Sequence, residues 1–156
     1  MLFQSTVLLA LASSTFALPA PEPKLVARAQ IPAGGVNCDG ATFSAQAIRD
    51  SIRNSRTPVV ASNGKEYPDF FGNNKGSANG KVFPNIPDSS ALYGQPLSDP
   101  AWTGGRAGIY RVVMNEGYNY VGTMIHTAGN NFKTCTPIVA EVVPPHVEPP
   151  TLPGKV

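Results

Sequence analysis

Residues 109–115 read Ile-Tyr-Arg-Val-Val-Met-Asn, residues 116–119 Glu-Gly-Tyr-Asn, residues 120–127 Tyr-Val-Gly-Thr-Met-Ile-His-Thr, and residues 128–132 Ala-Gly-Asn-Asn-Phe. Two runs rich in β-branched and aromatic residues flank a short glycine-containing turn, the pattern of an antiparallel hairpin. Strand side chains alternate between faces, so Ile109, Arg111 and Val113 share one side of the first strand, and Tyr120, Gly122, Met124 and His126 one side of the second. A turn centred near Gly117 sets Arg111 diagonally across from His126, within reach of two long side chains. Phe132 follows just after the second strand. The same spacing also suits an ordinary half-buried hairpin with two incidental polar residues.

The chemistry of the trio suits a phosphodiester. Arginine offers a planar fork of donors that matches phosphate oxygens. Histidine exchanges protons near neutral pH. An aromatic ring beside them stacks on a base or shapes a phosphate pocket. Upstream, residues 44–56 form the best helix candidate. Ala45, Ile48 and Ile52 fall on one face, Arg49, Asp50, Arg53 and Arg56 elsewhere, Ser44 is placed to cap the start, and Pro58 marks the far boundary. The basic residues read as a solvated face.

The run Arg111-Val-Val-Met-Asn-Glu116, the run Ile125-His126-Thr127 and the segment Gly129-Asn130-Asn131-Phe132 resemble the second half of the fungal guanyl-specific ribonucleases, the ribonuclease T-one type. The Arg111–His126 interval matches without a gap, and Cys135 falls in the family's order. A weaker likeness runs from Cys38 to Thr136. The resemblance implies an α+β fold, with one α-helix packed on a twisted antiparallel β-sheet and a single disulfide. It also implies roles: His126 as general acid, Arg111 as the cation that steadies the phosphorane, and Tyr67 as a phosphate donor.

Several positions depart from the family's pattern. Where the family has Tyr-Pro-His, this chain has Tyr67-Pro68-Asp69, which replaces the histidine that assists the base; the bland reading of Asp69 is a plain turn aspartate. The family's guanine-reading loop corresponds to residues 70–80. There Phe71 keeps a stacking aromatic and Asn73 and Asn74 the loop shape, while Lys75 stands about where a glutamate reads the base edge. Asn130 and Phe132 complete the expected substrate contacts. A family segment with Glu before aromatic-Pro aligns with Lys81-Val82-Phe83-Pro84, putting Val82 in place of the general base. Residues 87–102, with Pro96 and Pro100, read as a long surface connection. Trp102-Thr-Gly-Gly-Arg106 resembles the family's turn before the arginine strand, and Arg106 and Lys81 are expected to be exposed.

At 156 residues the chain can bury one real core. Its 15 Gly and 16 Pro, with only 14% charged residues, favour a loop-rich β or α+β protein over a helical bundle. A net charge of +2 permits an anionic partner without pointing to one. Residues 1–17 form an apolar run ending Thr15-Phe16-Ala17, which fits a secretory signal peptide better than a membrane span. Residues 18–30 read as a pro-segment or flexible leader, 31–136 as the ribonuclease-like domain, and 137–156 as a Pro-rich disordered tail. In a secreted chain, Cys38 and Cys135 read as one disulfide closing a loop of about 100 residues, which contributes roughly 4 to 5 kcal/mol in the chain-entropy model. Two free thiols are the alternative. No His/Cys cluster joins them, so neither metal nor cofactor is expected.

These readings converge on a secreted, monomeric protein without a membrane segment in its mature form. It binds RNA or a host protein through a remnant phosphate site, in the manner of ribonuclease-like effectors of fungal pathogens, with cleavage lost or strongly reduced. One alternative is an active endoribonuclease that forms a 2′,3′-cyclic phosphate with His126 as acid and Asp69 as base. The other is a disulfide-locked protein-binding module with no nucleic-acid role.

Overall fold

The structure, a computed structural model, describes residues 29–74 and 80–140. The expected signal peptide, most of the leader, Lys75 and the tail from residue 141 onward lie outside the described residues. In chain order the elements are β1 (Val36–Cys38), β2 (Ala41–Phe43), α1 (Ala45–Asn54), β3 (Val59–Val60), β4 (Glu66–Tyr67), β5 (Asp69–Phe70), β6 (Leu92–Pro96), β7 (Tyr110–Asn115), β8 (Tyr120–Thr127), a 3-10 turn (Ala128–Asn130), β9 (Asn131–Thr134) and β10 (Thr136–Pro137).

The expected hairpin is β7 and β8, and it forms the middle of a five-stranded antiparallel sheet ordered β5-β6-β7-β8-β9. Arg111 pairs with Met124 and Tyr110 with Ile125, which leaves His126 diagonal to Arg111 on the same face. The turn lies at Glu116 and Gly117, as expected, and Tyr118 just after it takes the left-handed conformation, with φ of 58°. That conformation is uncommon for a residue bearing a Cβ. Here the Asn115 side-chain oxygen accepts from the backbone N–H groups of Gly117 and Asn119, both at 3.0 Å. The Arg56 guanidinium also lies 4.9 Å from the centre of the Tyr118 ring.

The two sheet faces bury different things. On one side α1 packs across β6 and β7. Ser44 caps the helix, its Oγ accepting from Ala47 N at 3.0 Å, and the helix stops at Asn54, two residues short of the expected end. Its buried stripe is Ala45, Ala47, Ile48 and Ser51, while Ile52 is half-buried. Ile48, Val112, Ile125, Leu97 and Phe43 make one core cluster together with Cys38 and Cys135. Those cysteines form the disulfide, across 97 residues, and so tie β1 to the segment following β9. The order continues two residues past the expected end of the domain: Pro137 pairs with Val36, and Ile138 N donates to Gly35 O at 2.9 Å.

The surface connection expected over residues 87–102 is wrong at its centre. Leu92–Pro96 is β6, a strand between β5 and β7, with four of its five residues buried. A strand covered on both faces shows no alternation of apolar and polar residues. Gly94 and Pro96 also carry the usual signals of a turn. Pro96 is tolerated because it stands at the last position of the strand, where its missing N–H interrupts no ladder.

The opposite sheet face is covered by the chain on either side of residues 75–79. Phe71, Val82, Leu92, Val113 and Met124 form a second cluster there, with Phe83, Ile86 and Phe132 packed against it. Phe83 packs against Gly122, whose missing side chain makes the room: a Cβ there would overlap the Phe83 ring carbons. Overpacking of this kind typically costs about 1 to 3 kcal/mol. Gly122→Ala is therefore expected to lower the urea midpoint by that free energy, and a Phe83→Leu background should relieve part of the loss. An unchanged midpoint in the single variant would remove Phe83 as the constraint on Gly122.

Candidate functional site

Between the covering segment and the loop that precedes β7 lies a cleft of about 720 Å³. Its floor is the exposed end of the β6–β7–β8 face, and its walls come from β4, β5 and residues 106–110. Arg111, His126, Tyr67, Asp69, Phe71 and Phe132 all line it, so six of the site residues singled out in the sequence meet in one place.

Arg111 is the best-anchored of them. It is 7% exposed. Its Nη1 donates to the carbonyls of Ala107 and Gly108, each at 3.0 Å, and of Tyr110 at 2.7 Å. Nη2 donates to the Tyr67 hydroxyl at 2.9 Å, and the guanidinium carbon sits 5.0 Å from the centre of that ring. A guanidinium has five N–H donors, so its Nε–H and one Nη2–H have no protein acceptor among the described residues. None of the ion pairs among those residues involves Arg111 either. A buried cation whose partners are neutral dipoles leaves a net positive potential in a poorly screened site, and an anion in the cleft satisfies it. Tyr67 accepts from Arg111, which leaves its own hydroxyl proton free to donate to the same anion. Trp102 fixes the Tyr67 ring edge-on, with centroids 5.6 Å apart.

His126 is half-buried and stacks on Phe132, with ring centroids 4.7 Å apart and 16° between planes. Phe132 is packed edge-on by Phe71 at 5.1 Å, and Phe71 by Phe83 at 6.2 Å. The imidazole thus ends an aromatic series that reaches into the second core cluster. β9 delivers this stack, since His126 is paired with Phe132 in the sheet.

Other expected site residues have different work. Phe71 is 6% exposed, a core ring that shows the cleft little more than an edge. Its neighbour Phe70 is 65% exposed and lines the cleft. Asn73 spends its whole side chain on the covering segment: Nδ2 donates to Phe83 O and Oδ1 accepts from Phe83 N, both at 2.9 Å. Asn74 is exposed and away from the cleft wall. The side chain of Asn130 lies outside the described residues. Lys81 is not free either; its Nζ meets Asp88 at 2.8 Å and donates to Ile86 O at 3.1 Å. Arg106 is exposed as expected but borders the cleft, a position its sequence context did not signal.

The residue aligned with the family's general base, Val82, stands apart from these side chains. Val82 is buried in the second core cluster and does not reach the cleft. A second stretch of the chain ends in proline after the same spacing, Gly94-Gln95-Pro96, and the structure sets Gly94 on the cleft floor. An ideal Cβ on Gly94 would lie 3.9 Å from Met124 Cε and 4.0 Å from both Arg111 Cδ and Asp69 O, ordinary contact distances. Gly94 sits in the β6 ladder opposite Val113 and beside Asp69, without a side chain. The one carboxylate that lines the cleft among the described residues is Asp69, and Lys65 holds it at 2.5 Å. Arg106, Lys65 and Arg111 outnumber it, so the cleft is cationic. Among the described residues no group of three or more His, Cys, Asp or Glu side chains converges as metal ligands would.

A ribonuclease family model matches residues 31–136, which is most of the chain and all of the cleft. The chain belongs to the ribonuclease family. No curated protein matches it. Among solved structures, the chain is similar to the ribonuclease from Hericium erinaceus (RNase He1), at 23% identity, covering 66% of this chain and 99% of that one, with a TM-score of 0.48. Within this ribonuclease-like domain the clamp at Asn73 provides a test of what the covering segment is for. Asn73→Ala removes two hydrogen bonds to one backbone and is expected to cost about 1 to 3 kcal/mol. The measurement is chemical denaturation, together with proteolytic nicking near residues 80–86. A variant as stable as its parent but weaker in nucleotide binding would return the amide to the ligand.

Proposed function

We propose that this protein is a secreted, RNA-binding member of the ribonuclease family whose strand-cleaving activity is lost or strongly reduced. Cleavage by transesterification has three requirements. A base takes the 2′-hydroxyl proton so that the 2′-oxygen attacks phosphorus. A cation stabilises the phosphorane. An acid protonates the departing 5′-oxygen, leaving a 2′,3′-cyclic phosphate. Arg111 with Tyr67 suits the second task and His126 the third. Gly94 carries the conclusion: on the cleft floor beside Arg111 it offers no group to accept the sugar's proton. General acid–base assistance is worth on the order of 10² to 10⁴-fold per group, so its loss separates binding from turnover.

A second reading has one observation in its favour. Asp69 lines the same cleft as His126 and has the right chemistry for a base. Against it stands the Lys65 ion pair, which engages the Asp69 Oδ2 at 2.5 Å.

Two measurements separate the readings. Total RNA incubated with the unsubstituted protein is expected to show no more cleavage than with His126→Ala, while RNA binding weakens steeply with added salt. Gly94→Glu is expected to gain cleavage that disappears in the Gly94→Glu/His126→Ala double variant. His126-dependent cleavage by the unsubstituted protein, abolished by Asp69→Asn, would replace the first reading with the second. Absence of both cleavage and salt-sensitive RNA binding would point to a protein target.

A further inference from the structure

The helix side of the sheet is left uncovered at one corner. α1 ends at Asn54, and just past it the Ser55 hydroxyl donates to Met114 Sδ at 3.1 Å. Beyond that point a groove of about 410 Å³ opens along the sheet, lined by Pro58, Pro68, Tyr93, Met114, Glu116 and Tyr118. Tyr93 and Met114 are ladder partners, on the face opposite Gly94 and Arg111. Phe70, the ladder partner of Tyr93 in the edge strand β5, extends the groove. Although Phe70 borders the cleft along β5, alternation turns its ring to this other face, where it stands edge-on to Tyr93 with centroids 6.3 Å apart and is 65% exposed. Two prolines and three aromatic rings thus form one shallow apolar surface. Its charges are of opposite sign: Glu116, and Arg56 at 4.9 Å from the centre of the Tyr118 ring.

A surface of this kind suits a polyproline II segment, which docks on aromatic grooves with little conformational entropy left to lose. Proline has no N–H, so such a segment needs donors for its carbonyls and few acceptors. Tyr93 and Tyr118 carry hydroxyl donors. The Asn115 amide, whose Oδ1 already accepts from Gly117 N, Asn119 N and Asn119 Nδ2, has its own NH2 group to offer. A balanced pair of charges gives a polyanion no advantage here. The chain itself carries a matching segment: residues 148–153 read Glu-Pro-Pro-Thr-Leu-Pro and lie outside the described residues. Pro150 and Pro153 are three apart, the period that puts both on one face of a polyproline II helix, and Glu148 complements Arg56 in charge. The reach suffices. Ile138 N donates to Gly35 O, and Gly35 abuts Ser44, the cap of α1, so the described chain ends near the start of the helix while the groove begins past its end. The 10 residues of α1 rise about 15 Å, and the chain from Ala140 to Glu148 spans up to roughly 25 Å at the polyproline rise. We propose that residues 148–153 dock in this groove of their own chain, with Glu148 facing Arg56, and cover the Phe70 and Tyr93 rings. The proposal does not depend on what the cleft binds.

The test uses the mature chain with a nitroxide on Gly154→Cys, the two native cysteines being held in the disulfide. In the isotope-labelled protein the nitroxide is expected to broaden the amide signals of Phe70, Tyr93 and residues 115–118, and to spare those of His126 and Phe132 on the far face. Tyr118→Gly removes a ring where glycine adopts the left-handed backbone freely, so the unchanged positions of distant amide signals will show that the fold is kept. It should weaken docking about 2- to 10-fold, the range of one aromatic contact, and Glu148→Lys should weaken it further. Absent or uniform broadening, or broadening that Tyr118→Gly leaves unaltered, overturns the proposal and leaves the groove to a separate partner. The same broadening in an equimolar mixture of isotope-labelled chain without nitroxide and unlabelled chain with it overturns docking within one chain and assigns the segment to a second copy.

Discussion

Arg111 carries a full positive charge into a nearly closed site, and neutral groups hold it there. Three backbone carbonyls just before and within β7 take Nη1, and the Tyr67 hydroxyl takes Nη2. Hydrogen bonds to carbonyl dipoles orient a guanidinium without cancelling its charge. Much of the surrounding architecture follows from this anchoring. The turn at residues 106–110 must fold back so that its carbonyls point inward, and Tyr67 must arrive from β4 with Trp102 fixing its ring. The sheet must also present Arg111 on the face away from α1. An acidic partner for Arg111 would have given a more self-sufficient fold and a poorer anion site.

The sheet divides stability from chemistry. On the helix side, the disulfide and the cluster around Ile48 and Val112 pack together with small hydroxyls and the buried amide of Gln95, the ladder partner of Val112. On the other side, only part of the face is covered. The segment held by Asn73 seals one end with Phe83 over Gly122, and the aromatic series from Phe83 through Phe71 and Phe132 to His126 runs from that sealed end to the cleft. His126 is positioned by stacking, which fixes the plane of its ring while leaving the nitrogens to the cleft. Glycine serves opposite purposes at two points on this face. At Gly122 the absent side chain admits a neighbouring ring, and at Gly94 it leaves open a place where a carboxylate would fit.

The hairpin, the helix with its Ser44 cap, the single disulfide and the Arg111–His126 diagonal were all legible in the chain. Each depends on local periodicity or on counting: alternation for β7 and β8, a 3.6-residue stripe for α1, two cysteines for one bridge. β6 was not legible, because burial on both faces erases alternation and because Gly94 and Pro96 imitate a turn.

What the sequence determined by itself was therefore the hairpin, the helix and the placing of Arg111 and His126 on one face, since residue type and short-range spacing carry that information, while the resemblance to a family added the fold class and Tyr67. Which side chains are free to meet a ligand was decided only by the tertiary structure. Phe70 and Phe71 are the same residue type in adjacent positions, and Asn73 reads like any loop asparagine. Whether a ring is bare or buried, or an amide is idle or engaged, depends on groups far along the chain that packing brings alongside.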